Sequence, residues 1–317
     1  MSAEQSEEAA DICCASCGKS EVDDVKLTDC DGCDLVKYCS DNCREDHRPE
    51  HEVKCKKRAA ELREELLFEQ PESTHDGDCP ICFLPLPITG KSTFHVCCSK
   101  VLCNGCSYAS KMSEAKNMPR TCPFCRHPMP KTIEEAEKIF MKRVQANDPA
   151  AMCVLGQRIR NNGDYKGAFK CFSHSAELGH VVAHYELSVM YRDEEGVEKD
   201  ETKEIYHLEE AAIRGHPRAR YNLGCYEGRN GRIDRAVKHW IIAANLGWDE
   251  SIQALKACYK DGDISKEDFA AALRGHHAAV EATKSPQREI ATAWAREQEV
   301  QQATFGSTLF VKFKRSN

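Results

Sequence analysis

A mainly α protein is what this sequence predicts: two small α+β modules built round clustered cysteines, followed by an α-helical repeat solenoid. Three observations carry that expectation. Of the 20 cysteines, 16 fall between Cys13 and Cys125. From Ala151 onward a pattern of alanine, leucine and glycine returns at intervals of 32, 36 and 32 residues. The 317 residues suffice for two or three domains, and they contain no apolar run near the ~20 residues that a membrane helix needs.

Most of the clustered cysteines stand in C-x2-C or C-x3-C pairs. Two thiolates one tight turn apart both reach a single ion at ~2.3 Å, and four such ligands complete the tetrahedral shell of a structural zinc site. A disulfide framework is the competing use, and it needs a secreted chain. The stretch from Met1 to Asp11 is acidic without an apolar centre, unlike a signal peptide. No N-x-[ST] sequon occurs. A reducing interior, cytoplasmic or nuclear, is therefore expected, and there paired cysteines hold metal.

The first cluster reads Cys14-x2-Cys17, Cys30-x2-Cys33, Tyr38-Cys39-Ser40-x2-Cys43 and His51-x3-Cys55. Its order, the Y-C-S-x-x-C block and the C-x7-H step resemble the MYND-type zinc finger over residues 14 to 55. The resemblance implies interleaved sites, with Cys14, Cys17, Cys39 and Cys43 on one ion and Cys30, Cys33, His51 and Cys55 on the other. Cys13 is left as a spare thiol and His47 as a solvated neighbour. Arg48 stands where the family often has a tryptophan.

The second cluster reads Cys79-Pro-Ile-Cys82, Cys97-Cys98, Cys103-x2-Cys106 and Cys122-Pro-Phe-Cys125-Arg126, and it resembles a RING-type finger. That resemblance puts Cys79, Cys82, Cys103 and Cys106 on one ion, and Cys98, Cys122 and Cys125 on another. Where the family has a histidine this chain has Lys100, an ammonium without a lone pair. Cys97 is the simplest substitute, with His95 and His127 behind it. Four zinc ions are expected, or three if this last site is vacant. In ligases of the family, residues at the places of Ile81, Pro123 and Arg126 touch a ubiquitin-conjugating enzyme; otherwise they are knuckle-turn residues and a solvated charge.

The remaining boundaries follow from composition. Residues 1–12 are expected to be disordered; residues 13–55 form the first finger, and residues 56–78 an exposed helix over Lys56 to Glu69 with a linker broken by Pro71 and Gly77. Residues 79–127 form the second finger, with a loop over Leu84 to Gly90 and a short helix over Ser107 to Lys116. Thr132-x2-Glu135 is a capping box opening a helical region over 132–282. There Ala151-x3-Leu155-Gly156, Ala183-x3-Leu187-Ser188, Ala219-x3-Leu223-Gly224 and Ser251-x3-Leu255-Lys256 mark four copies. Small residues let helices approach, leucines fill the seam, and Gly179, Gly215 and Gly247 end helices. The Ala-Ala-x2-Gly endings, as in Ala211 to Gly215 and Ala243 to Gly247, resemble Sel-one-like repeats, relatives of tetratricopeptide repeats. Cys153, Cys171, Cys225, Cys258 and Trp240 are read as packing residues. Pro286 opens a last helix to about Gln302, and Thr308 to Phe313 is β-prone, a cap or a partner-binding peptide.

A net charge of −7 argues against a dedicated nucleic-acid binder, and Lys54 to Arg58 and Lys312 to Arg315 read as solvated surface. The phosphate-loop, nucleophile-elbow and H-E-x-x-H signatures are absent. Any activity must then come through a recruited enzyme. The expected function is a RING-type ubiquitin ligase whose first finger and repeats recruit protein or peptide partners. The alternative is a non-enzymatic zinc-finger adaptor.

Overall fold

The computed structural model describes residues 13–21, 25–88, 92–113 and 120–298. The expectations for the acidic N-terminus, the end of the helix begun at Ser107, and the tail from 299 onward lie outside the described residues. The chain divides between Glu69 and Gln70 into two compact units.

In the first unit, strands β1 (Thr28–Asp29) and β2 (Lys37–Tyr38) pair antiparallel and lead into helix α1 (Asp41–Phe68). Ser40 caps α1 by accepting from the Cys43 N–H. Sequence reasoning expected a short helix at His47 and His51 and a separate one from Lys56. A single helix runs through both, with Pro49 inside it. The helix is polar, with His51 and Leu67 as its buried residues. Ion pairs such as Glu52–Lys56 and Glu61–Lys57 along its surface support it.

The second unit opens with the second finger, where β3 (Ser92–His95) pairs antiparallel with β4 (Lys100–Cys103) ahead of α2 (Asn104–Ser113). Helix α3 (Ile133–Gln145) follows, and its N-terminus is fastened by a variant of the capping box in which the glutamate reaches one residue past the cap. Thr132 accepts from the Glu135 N–H, while the Glu135 carboxylate accepts from the Lys131 N–H.

Antiparallel hairpins then stack: α4 (Pro149–Asn161) with α5 (Tyr165–Glu177), α6 (Val181–Asp193) with α7 (Glu201–Ile213), α8 (Pro217–Arg229) with α9 (Ile233–Asn245), and α10 (Asp249–Asp261) with α11 (Lys266–Ala282). The Ala-x3-Leu marks lie on the first helix of each. Gly179, Gly215 and Gly247 adopt φ of +83°, +81° and +89°. The residue after each glycine donates back to the carbonyl of Ser175, Ala211 or Ala243. That six-to-one bond is the physical content of the Ala-Ala-x2-Gly ending.

The Leu-Gly pairs have a second cause. A side chain at Gly224 would meet the Trp240 ring at 2.5 Å, and one at Gly156 would meet Phe172 at 2.7 Å. In both hairpins the ring stands sixteen residues after the glycine. The second hairpin has a turn four residues longer, so its corresponding pair is Ser188 and Leu208, both buried. In the fourth, Lys256 holds the glycine position and Ala272 replaces the ring. Gly224→Ala is expected to destabilise the unit by ~1 to 3 kcal/mol through overpacking. That exceeds the ~1 kcal/mol gained in helix propensity, and a lowered urea midpoint checks it.

Trp240 and Cys258 belong to one hydrophobic cluster, with Cys225 packed beside it, and Cys153 belongs to another. The segment from Gln70 to Asp78 does not run free as a linker. His75 N–H donates to the Gly215 carbonyl at 3.0 Å, and its ring stacks on His216, which stacks on Tyr185. Helix α12 (286–298) closes the described residues.

Candidate metal centres

Among the described residues four groups of ligand atoms converge, each with all its members within 4.8 Å of one another. The first holds Cys14, Cys17, Cys39 and Cys43; the second holds Cys30, Cys33, His51 and Cys55. The third holds Cys79, Cys82, Cys103 and Cys106; the fourth holds Cys97, Cys98, Cys122 and Cys125. Cys13 is exposed and stands outside them. His47 is half-buried, and its Nδ1 lies 3.0 Å from the Tyr38 hydroxyl, so it is less solvated than expected.

Three of the C-x2-C pairs sit on a shared knuckle. In each, the residue after the second cysteine takes a left-handed conformation: Gly18 at +72°, Phe83 at +54° and Arg126 at +60°. Its N–H donates to the carbonyl of the first cysteine, and an isolated bridge closes the loop outside. Both sulfurs thereby point to one side of the turn.

The fourth group solves a local problem differently. Cys97 and Cys98 are adjacent, and an extended backbone would send their side chains apart. A turn over 96–99 prevents this, with Ser99 at φ +54° and its N–H donating to the His95 carbonyl. Cys97 thus takes the fourth place, while Lys100 and His127 stay exposed. His95 is buried with Nδ1 3.6 Å from the Cys122 sulfur, a neighbour of the group rather than one of its four.

The separations fit zinc. Four sulfurs at ~2.3 Å from an ion lie about 3.8 Å apart along the tetrahedron's edges. Cys17–Cys39 is 3.5 Å, Cys39–Cys43 3.6 Å, Cys30–Cys55 3.7 Å, Cys82–Cys103 3.8 Å, Cys98–Cys122 4.0 Å and Cys97–Cys125 3.4 Å. His51 Nε2 lies 3.2 Å from the Cys33 sulfur. A disulfide would need ~2.0 Å, and every cysteine is free.

The electrostatics call for a cation. Burial raises the Cys14 thiol, yet the N–H groups of Cys17, Cys39 and Ser16 outweigh it and hold the pKa at about 6. Cys79 is held at about 7 against burial by the N–H groups of Cys103, Cys82 and Ile81. Other thiols of the first and second groups move the other way. Cys39 rises to about 12 beside the Cys17 and Cys43 sulfurs, and burial with the Cys30 and Cys33 sulfurs raises Cys55 to about 12. Four thiols cannot all ionise at this range unaided, and a divalent ion removes the conflict.

The remaining sequence-singled residues stand at the surface. Ile81 is 36% exposed, beside Phe83 at 75%; Arg126 is exposed and Pro123 half-buried. Sequence reasoning missed Arg288, which reaches the third group from α12. Its partners lie some two hundred residues upstream, and no local pattern announces them.

A family model described as MYND finger matches residues 14–55. Protein SHC1 of Saccharomyces cerevisiae, in two strains, is 28% identical over 172 residues, covering 48% of this chain and 34% of that protein. The chain thus spans about a third of the length of the curated relatives it matches. Among solved structures, a Sel1 repeat protein from Oxalobacter formigenes is 26% identical, covers 48% of this chain and 66% of its own, and gives a TM-score of 0.39. The protein c5321, a protective antigen of uropathogenic Escherichia coli strains displaying an SLR fold, is 28% identical over 46% of this chain and 33% of its own, also at a TM-score of 0.39. No helix among the described residues is long and apolar enough to cross a membrane. Over residues 14–55 the chain is therefore similar to the MYND finger family.

Proposed function

We propose that this chain is a zinc-dependent ubiquitin ligase of RING type, with its second finger recruiting a ubiquitin-conjugating enzyme. Its first finger and repeats recruit the protein to be modified. The observation that carries this is the display of Ile81 and Arg126 on the two knuckle turns of the second finger. Ile81 keeps 36% of its surface in water next to a more exposed Phe83. Arg126 holds a left-handed backbone that an unbranched glycine would adopt with less strain. An exposed apolar side chain and an exposed cation suit a protein partner.

The chemistry belongs to the recruited enzyme. Zinc supplies rigidity to the finger, and the finger's own residues bind and orient. Holding a charged conjugating enzyme in one reactive pose raises the rate by positioning, without a nucleophile or base on this chain. Ile81 would supply apolar contact, Pro123 a stiff turn, and Arg126 a charge-assisted hydrogen bond.

A second reading, a non-enzymatic adaptor, is favoured by one observation: Cys97 stands in for the histidine that the resemblance expects at Lys100. Autoubiquitination with a panel of conjugating enzymes separates the two. Ubiquitin chains are expected with the wild type. Ile81→Ala and Arg126→Ala should each reduce their formation at least ~10-fold, the effect of losing about 1.4 kcal/mol of binding. Fully loaded protein that forms no chains with any conjugating enzyme leaves the adaptor reading standing.

A further inference from the structure

We propose that Arg288 is a working part of the third metal centre, a positioning residue that hydrogen-bonds the Cys82 sulfur from α12 and keeps the first knuckle closed round its ion. This rests on reading Cys79, Cys82, Cys103 and Cys106 as zinc ligands.

The side chain is 5% exposed, and its guanidinium serves four acceptors. Nη1 donates to the Pro85 carbonyl at 2.6 Å and the Thr283 carbonyl at 2.7 Å. Nη2 donates to the Leu84 carbonyl at 3.0 Å and to the Cys82 sulfur at 3.4 Å. Leu84 and Pro85 continue the chain directly out of the knuckle, so one fork grips both a ligand and the turn that aims it.

Charge decides what this contact means. A buried guanidinium without a counter-charge is strongly unfavourable, and three of its four named acceptors are neutral carbonyls. The sulfur alone among them can carry charge. Zn2+ with four thiolates bears a net charge of −2, and Arg288 answers it at hydrogen-bond range. Drawing charge from the Cys82 thiolate makes that sulfur less basic and less nucleophilic. Both effects oppose its departure from the ion by protonation or by attack on an electrophile.

The helix that carries Arg288 is itself seated on the finger. Gly105, between ligands Cys103 and Cys106, leaves room for it: a Cβ there would stand 2.9 Å from Arg288 Cγ and 3.0 Å from its backbone nitrogen. Asn104 donates to the Thr292 hydroxyl at 3.0 Å, Thr292 donates to the Arg288 carbonyl, and the Tyr108 and Trp294 rings lie 5.4 Å apart. The third centre is thereby a joint product of the finger and of a helix beyond the repeats.

The test uses the full chain loaded with zinc, a colorimetric chelator to follow metal release, and cobalt substitution to read the sulfur-to-metal charge-transfer band. Arg288→Lys keeps the charge but cannot span three carbonyls and a sulfur with one ammonium. In that variant one ion should leave ~10-fold faster or more, the range known for residues that support a ligand. Its cobalt band should shift, and the urea midpoint of the repeats should not. Arg288→Ala should show the same release at larger amplitude. Unchanged release and an unchanged band in both variants overturn the inference. Cys79→Ser with Cys82→Ser separates it from the reading beneath: if those changes remove no zinc, the ligand assignment fails and Arg288's role with it. If they remove one ion while the Arg288 variants behave as wild type, the Arg288 proposal alone fails.

Discussion

Stripping zinc with a chelator is expected to unfold both fingers while the repeats stay helical. The first unit has little else to hold it. Its apolar cluster is Cys14, Leu27 and Tyr38 with a few half-buried neighbours, and two of its strands are two residues long. Modules of this size bury too little apolar surface to fold alone, and a structural zinc ion supplies an apparent ~10 to 16 kcal/mol. The repeats are built otherwise. Alanines at zero exposure, such as Ala183, Ala219 and Ala243, let helices close on Phe172, Leu187, Leu223 and Trp240. Amide hydrogen exchange with and without chelator checks this. Protection should vanish over 25–68 and 92–113 and persist from α4 to α10. Unchanged protection in α1 after zinc removal would contradict a metal-dependent first unit.

Acid should destabilise the repeats before it reaches the usual carboxylate range. Burial pushes the His180 and His207 imidazoles down to about 4, helped by His75 and His184 respectively; burial with Arg220 nearby pushes His239 to about 3. In the unfolded chain all three titrate near 6.5. Above that pH they are neutral in both states and contribute nothing to the difference. As pH falls below 6.5 the unfolded chain takes up protons that the folded one refuses, so stability is lost. Each histidine accounts for about 1.4 kcal/mol per pH unit until its folded pKa is reached. Because the unfolded imidazoles are half-protonated at pH 6.5, together they remove ~3 kcal/mol between pH 6.5 and 5.5, a large share of the 5 to 15 kcal/mol typical of a domain. Urea midpoints followed by tryptophan fluorescence at pH 7.5, 6.5 and 5.5 read this directly, with a metal dye reporting any zinc released. His207→Gln should flatten the slope by about a third. A midpoint constant over that range would show that these imidazoles already bind protons in the folded state.

Much of the architecture was legible because its causes are local. A C-x2-C pair needs only one turn, a capping box four residues, and a repeat only its neighbour. Thr132 as a helix cap and the glycines at 179, 215 and 247 accordingly do what their spacing implies. The expected split between two helices in 41–68 failed: one helix continues past the ligand Cys55 and accommodates Pro49. The carbonyl it leaves free belongs to exposed Glu45, where water can satisfy it. His75 on Gly215 and Arg288 on Cys82 were invisible for a different reason. They join segments 140 and 206 residues apart, and nothing in a histidine between polar residues, or an arginine on a short helix, names so distant a partner.

The interleaving of the ligand groups bears on how the metals arrive. Within each finger the first group's halves bracket half of the second: Cys17 meets Cys39 across 22 residues and Cys33 meets His51 across 18, while Cys82 meets Cys103 across 21 and Cys98 meets Cys122 across 24. Read as cross-links, two ions close overlapping loops of similar length. Whichever binds first bears most of the loop-closure entropy for both, because it already pins part of the chain that the second must draw in. In each finger the second ion then meets a chain already drawn together, and it closes its own loop at the smaller entropic cost.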